Sequence, residues 1–309
     1  MIVPRLAVGL GLVCFCVAAP PAEPADDDGP QTVQFNAADG FWIYADYQAP
    51  TSSYVEAPIV ILLHAEQADR RAWAPLIPAL REAGFAVLAM DLRGHGESSD
   101  SGTRRQATEL DARLFRDMQA DLRGAYDWLA AQKGLDRARF TLVAAGRTVG
   151  VATSYAAADC SVDAVVCLSP QLGQEGLDPV ADLSQIHGRQ LLFLGARDER
   201  QVCETLAKRT KGARTWFCDS DKHGTDLLGN APDIEKQIVR FLGDAVGRPS
   251  SLTVYGSIRS NIYHQPGSGW IAEISPTNLR HYSSPREAES RGLRAARSDG
   301  PRRRRSPSP

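Results

Sequence analysis

The sequence predicts an α/β fold: a mostly parallel sheet with helices on both faces, followed by a small α+β module. Three observations predict it. Short, largely apolar runs recur at residues 58–63, 85–90, 140–145, 164–168 and 190–194. Runs of this length suit strands buried on both faces. Amphipathic patterns at helical spacing lie between them. Strand signals and helix signals therefore alternate, and alternation calls for a parallel sheet covered on both sides.

Each element has its own signal. Residues 33–35 and 41–47 flank Asp39-Gly40, a hairpin signal. After the 58–63 strand, Trp73, Leu76, Ile77 and Leu80 recur at helical spacing, and Gly84 is placed to stop that helix. Phe115, Met118, Leu122, Tyr126 and Leu129 form a second helical face, closed by Lys133-Gly134. Residues 234–242 form a closing helix with Ile234, Ile238, Phe241 and Leu242 on one side. The main domain is expected over residues 33–246. Pro249-Ser-Ser marks its boundary, and a module of short strands follows over 251–299. In that module Ser284-Pro285-Arg286-Glu287 is a capping box with proline at the first helical position, and Gly292 sits at the far end. Residues 300–309, rich in Arg, Ser and Pro, read as a disordered tail.

Composition bounds the class. Hydrophobic residues make up 43% and charged residues 23%, as in a globular protein. The net charge of −2 hides an asymmetry: residues 247–309 carry +7 and residues 1–246 carry −9. At the N-terminus, Arg5 precedes an apolar stretch from Leu6 to Ala19 that ends in Val17-Ala18-Ala19. The stretch is shorter than the roughly 20 residues that span a bilayer. It reads as a signal peptide over 1–19, so the mature chain is expected to be exported, periplasmic or secreted, with no transmembrane span. The alternative is a membrane anchor formed by residues 6–19. Residues 20–32, rich in Pro and Asp, read as a disordered spacer. Cys160, Cys167, Cys203 and Cys218 remain in the mature chain. Four cysteines allow three pairings that sequence cannot choose between, and buried free thiols are the other option.

Four segments resemble the α/β-hydrolase family, in particular bacterial dienelactone-hydrolase-like members. Leu62-Leu63-His64-Ala65 is similar to the Leu-His-Gly turn after the third strand. Asp91-Leu-Arg-Gly-His-Gly-Glu-Ser98 closely matches the Asp-x-Arg-Gly-His-Gly-x-Ser segment after the fourth. Gly195-Ala-Arg-Asp198 resembles the segment that delivers the triad acid, and His223-Gly224 the one that delivers the base. Acid precedes base, as in the family's chain order. The resemblance implies an α/β-hydrolase fold over residues 33–246, with Asp198 and His223 as remnant acid and base. His95 and Glu97 are expected to shape their loop. Residues 103–114 are placed to form a short loop over the site.

A fifth segment departs from the pattern. The family carries Gly-x-Ser-x-Gly at a sharp strand-to-helix turn. Here the chain reads Ala144-Ala145-Gly146-Arg147-Thr148. In the register that fits the downstream segments, Gly146 takes the nucleophile position, and glycine has no side chain to attack a carbonyl. Read two residues later, Gly146-Arg147-Thr148-Val149-Gly150 is Gly-x-Thr-x-Gly, which would make Thr148 the nucleophile. Against that shift stand the downstream frame and the stiffness of threonine. The oxyanion donors implied by the resemblance are the backbone N–H of Arg147 and one near Ala65 or Glu66.

Residues 252–299 resemble the small zinc-binding domain of the methylphosphotriester-DNA repair protein. Ile262-Tyr263-His264-Gln265-Pro266-Gly267-Ser268 is similar to its Ile-Tyr-Cys-x-Pro-x-Cys. The ligand positions then hold His264, Ser268, Ala296 and Asp299. Structural zinc wants four thiolates or imidazoles, so no metal is expected, and no cofactor. Nucleic acid is not an expected partner of an exported chain. The basic segment reads instead as a solvated tail or a contact for anionic envelope components.

The sequence therefore describes an exported α/β-hydrolase homologue without its serine, non-catalytic or weakly catalytic, with a binding role toward a small molecule. The alternative is an active hydrolase of ester, lactone or other small carbonyl substrates, using Thr148 or a water activated by His223 and Asp198. Substrate class and oligomeric state have no signal in the sequence.

Overall fold

The structure is a computed structural model. It describes residues 29–51, 56–99, 112–159, 161–171, 183–186, 189–231, 233–247, 254–265, 268–275, 278–282 and 284–297. The expected signal peptide, most of the spacer, the 103–111 part of the loop, Cys160, Asp299 and the 300–309 tail lie outside these residues. Among the described residues no helix is long and apolar enough to cross a membrane.

Eight strands build the main sheet: β1 (Gln31–Asn36), β2 (Trp42–Gln48), β3 (Ala57–Leu63), β4 (Ala86–Met90), β5 (Leu135–Ala145), β6 (Val162–Leu168), β7 (Gln190–Ala196) and β8 (Arg214–Cys218). Their spatial order is β1-β2-β4-β3-β5-β6-β7-β8. β2 runs antiparallel to both neighbours, and β3 through β8 are parallel. Among the described residues five α-helices cover it: α1 (Ile77–Glu82), α2 (Ala112–Ala130), α3 (Thr148–Ala158), α4 (Arg200–Ala207) and α5 (Ile234–Val246). β3 shows why the apolar runs are continuous. Ile59, Ile61 and Leu63 face the layer of α2, α3 and α4, whereas Val60 and Leu62 face that of α1 and α5. A strand buried on both sides needs no polar alternation.

Three local readings need correction. The helix read through Trp73 to Leu80 is two pieces, a 3-10 turn at Arg70–Trp73 and the short α1. Pro75 and Pro78 deny the backbone N–H groups that a continuous helix requires. All four apolar residues are nevertheless buried. β5 starts at Leu135 rather than Phe140, and its register against β3 slips between Pro58 and Ile59, leaving Arg137, Ala138 and Arg139 as a bulge. The polar Asp-Arg-Ala-Arg run looks like a loop, but Arg139 pairs with Asp136 at 2.6 Å with both side chains buried. The closing helix extends past residue 242 to Val246. Cys167, Cys203 and Cys218 are buried free thiols.

The C-terminal residues form a second sheet of β9 (Val254–Ser257), β10 (Ile262–His264), β11 (Leu279–Tyr282) and β12 (Arg294–Ala295), in the order β11-β9-β10-β12. Two short helices accompany it, α6 (Gly269–Glu273) and α7 (Pro285–Ser290). Ser284 caps α7 as read: its Oγ accepts the Glu287 N–H at 3.2 Å, with Pro285 opening the helix. This small sheet is fastened to the β5 bulge. The Tyr255 hydroxyl donates to Asp136 Oδ2 at 2.8 Å, His281 Nδ1 lies 2.9 Å from the Ala138 carbonyl, and Arg137 donates to the Ile271 carbonyl at 3.2 Å. Ala138, Tyr255 and Leu279 form an apolar cluster between them. His264 ends β10, Ser268 stands at the N-cap position of α6, and the Ala296 N–H donates to the Tyr263 carbonyl at 2.9 Å.

Candidate functional site

Parallel strands deliver their following loops to one edge of the sheet, and in open α/β sheets ligands bind at that carboxyl edge. The turn after β5 is the sharpest of them. Gly146 begins the two-residue link between β5 and α3 with φ +62°, a conformation that costs an L side chain energy. Its N–H donates to the Leu168 carbonyl at 2.9 Å, which ties the turn to the end of β6. A Cβ built on Gly146 would lie 3.6 Å from the Ala65 methyl, an ordinary contact. A Cβ built on Gly224 would lie 3.8 Å from that same methyl. Ala65 thus stands between the turn and the glycine that follows His223, and three segments remote in sequence meet at one point.

Thr148 is the first residue of α3 and is buried. Its hydroxyl lies 2.9 Å from the Ala145 carbonyl and 3.2 Å from the Leu63 carbonyl. A hydroxyl has one proton to give, and here backbone carbonyls take it. The residue fastens the start of α3 to the ends of β5 and β3.

Asp198 lies in a 3-10 turn directly after β7, and His223 leads the turn after β8. They meet at 2.9 Å, with His223 Nε2 donating to Asp198 Oδ2. In a serine triad the acid takes Nδ1–H and leaves Nε2 for the nucleophile. Here Nε2 is spent on the acid. The pair is also open to solvent, with side-chain exposures of 48% and 67%. The hydrogen bond to Asp198 raises the His223 pKa above its ordinary 6.5, against the opposing effect of burial. It likewise lowers that of Asp198. The charged ring is thus favoured in the folded state, and the stabilisation this brings is full below the unfolded pKa and lost as pH rises through the folded one. In a histidine NMR titration His223 will titrate above 6.5, and Asp198→Asn will bring it back down. A His223 pKa indifferent to Asp198→Asn would mean the pair does not form in solution.

The neighbouring groups that sequence did not reveal are Ser169 and Glu199. Ser169, with φ +47°, accepts the Gly224 N–H at 2.7 Å and donates to Glu199 Oε2 at 2.9 Å. Glu199 Oε2 also accepts the Ala196 N–H at 2.8 Å. This chain fixes the His223 loop to the ends of β6 and β7. The signal available was slight: a Ser-Pro at a strand end and an acid next to Asp198. Ligand atoms of Asp198, Glu199 and His223 lie within 4.8 Å of one another, the one such group among the described residues that could hold a metal ion. They already hydrogen-bond to protein groups.

The loops that would cradle an oxyanion are joined by their side chains. Arg147 pairs with Glu66 at 3.3 Å and lies 4.9 Å over the Phe115 ring. The Arg147 N–H opens α3, where helix geometry leaves it without an intrahelical partner. Behind Ala65, His64 Nε2 accepts the Leu92 N–H at 3.1 Å, so Nδ1 carries the proton and donates to the Ala65 carbonyl at 2.8 Å. Burial lowers the His64 pKa to about 4, so the ring is neutral near pH 7. His64 is a brace for the Ala65 loop. The Asp91–Ser98 loop is braced as expected. Asp91 accepts the Arg70 and Glu97 N–H groups at 2.8 and 2.9 Å and pairs with the Arg70 guanidinium. His95 is buried, with Nδ1 3.2 Å from the Arg93 carbonyl, and Glu97 pairs with Arg70.

The comparisons with known proteins agree with this fold. The family described as alpha/beta hydrolase fold matches residues 58–214, and the chain belongs to that family. Among solved structures, a dienelactone hydrolase from Anabaena variabilis is similar with a TM-score of 0.54 at 18% identity, covering 70% of this chain and 96% of that one. An esterase from Pyrococcus furiosus gives 0.56 at 18% identity, covering 74% and 98%. Among curated proteins, epoxide hydrolase A of Mycobacterium tuberculosis is 40% identical over 79 residues, 26% of this chain and 23% of the relative. Epoxide hydrolase B of the same organism is 32% identical over 78 residues, 25% of this chain and 20% of the relative. The chain thus spans about a quarter or less of the length of the curated relatives it matches.

Proposed function

We infer that this protein is an exported α/β-hydrolase homologue in which hydrolysis is lost or much reduced and a small-molecule binding role is kept. The observation that carries the reading is Gly146, which stands with φ +62° at the turn from β5 to α3. A triad without a hydroxyl at this point has no atom to acylate. The placement of the Thr148 hydroxyl on two carbonyls weighs against threonine as a substitute. Export rests on the apolar stretch at residues 6–19.

A second reading has one observation in its favour. Asp198 and His223 still meet at 2.9 Å, and such a pair can activate a water. It would make the chain a slow hydrolase of ester, lactone or other small carbonyl substrates, in keeping with relatives named as esterase, dienelactone hydrolase and epoxide hydrolase. One experiment separates the two. Purified protein is offered short-chain p-nitrophenyl esters and a fluorophosphonate probe. The first reading expects neither turnover nor labelling. Turnover abolished by His223→Ala would replace it with the second.

A further inference from the structure

The small C-terminal sheet carries a groove of about 450 Å³ between the β9–β10 turn and the loop that leaves α7. That volume lies within the usual range for small-molecule sites. Gly256 makes room for its floor. A Cβ there would lie 2.6 Å from a Leu293 methyl and 3.3 Å from the Tyr282 ring, so the glycine lets both side chains cover β9. Leu293 and Tyr282 line the groove, and Ile258 joins them with half of its surface exposed. The polar lining is Ser257, Arg259, Ser260, Asn261, Tyr282 and Arg291, and no described residue of the lining is a carboxylate. Each of these side chains can donate a hydrogen bond. Most of those donors are free. The Arg259 guanidinium and the Tyr282 hydroxyl hydrogen-bond to no described residue, although Tyr282 is only 8% exposed. Ser257 Oγ and Ser260 Oγ accept the N–H groups of Arg259 and Ile262, each at 3.2 Å, which leaves both hydroxyl protons available. Arg291 gives Nη2 to Glu287 at 3.1 Å and keeps its other N–H groups, and Glu287 itself stands in the neighbouring cleft.

We propose that this groove binds a phosphate monoester carried on an apolar body. Arg259, Arg291 and the Tyr282 hydroxyl take the phosphate, and Ile258 and Leu293 flank the body. The lining selects the head group. It offers two positive charges and donors from three separate segments, and a phosphate monoester brings three acceptor oxygens and a charge of about −1.5 to −2 at neutral pH. A carboxylate brings two oxygens and a single charge. The planar fork of arginine also matches phosphate oxygens in pairs. A soluble ester and a phosphatidate head group share this chemistry. The groove has no residue in common with the Gly146–His223 region.

Hexyl phosphate is the probe, titrated into the ¹⁵N-labelled full chain beside hexanoate. The expected result is saturable shifts of the Ser260, Asn261 and Gly292 amides, with the phosphate bound more tightly than the carboxylate. Tyr282→Phe removes one oxygen and keeps the ring in its packing, and it should weaken binding about tenfold. Arg259→Gln, at an exposed turn that the fold does not depend on, should weaken it about fivefold. Phosphatidylcholine vesicles containing phosphatidic acid separate the two sources. Capture that hexyl phosphate reverses assigns the ligand to a lipid head group, and binding of hexyl phosphate without capture assigns it to a soluble ester. Three results would overturn the proposal: no saturable shift at these amides, hexanoate bound as tightly as hexyl phosphate, or unchanged binding in both Tyr282→Phe and Arg259→Gln.

Discussion

Gly146→Ser will make the chain reactive toward a fluorophosphonate. The backbone at 146 already has φ +62°, and the new Cβ meets only Ala65, at 3.6 Å from its methyl and 4.0 Å from its Cα. The new Cβ therefore enters without displacing a neighbour. It will cost about 1–2 kcal/mol of stability, because a left-handed backbone crowds Cβ against a carbonyl. Removing the nucleophile of a serine hydrolase costs on the order of 10⁶-fold in turnover, so returning even part of one raises ester hydrolysis at least ~10²-fold above background. The restored activity stays well below a full triad, because His223 gives Nε2 to Asp198 and both side chains stand in water. His223→Ala in the same background removes labelling. A folded Gly146→Ser protein that stays unlabelled would show that the attacking position lies elsewhere.

Asp91→Ala will destabilise the fold by about 3–5 kcal/mol, the usual result of leaving a buried ion without its partner. Asp91 is fully buried and Arg70 is 4% exposed. The carboxylate serves the Arg70 guanidinium and the N–H groups of Arg70 and Glu97 together. Its loss strands a charge and two donors at once. Asp46, 3.0 Å from Arg70, and Glu97, 3.1 Å away, soften the effect without replacing it. Urea unfolding measures the change, and a loss below about 1 kcal/mol would mean that the ion network does not hold this loop.

What was legible in the sequence follows from how local each signal is. Strands buried on both faces announce themselves as apolar runs, so β3, β4 and β6 need nothing but their own residues. Asp198 and His223 are legible through a fixed chain order, because each follows a strand end. The Ser169–Glu199 link is not, since it exists only after β6, β7 and the His223 turn come together. The β5 bulge misleads for a different reason. Its charges belong to a loop by composition, yet Asp136 and Arg139 cancel one another and Tyr255 completes the set from over a hundred residues away. β8 is hard to read because Arg214 and Thr215 are exposed and only Cys218 is fully covered. The Trp73–Leu80 pattern is right about which side chains face the core and wrong about the backbone, which the prolines decide.

β5 carries the Gly146 turn at one end and the small sheet at the other. The bulge shortens it to the span of the seven β3 residues it pairs with, so at about 3.3 Å each the two lie roughly 20 Å apart. The small sheet therefore sits at the pole remote from His223. Two clients held at these poles would not compete for room, and a linker joining them would have to pass around the flank of the sheet.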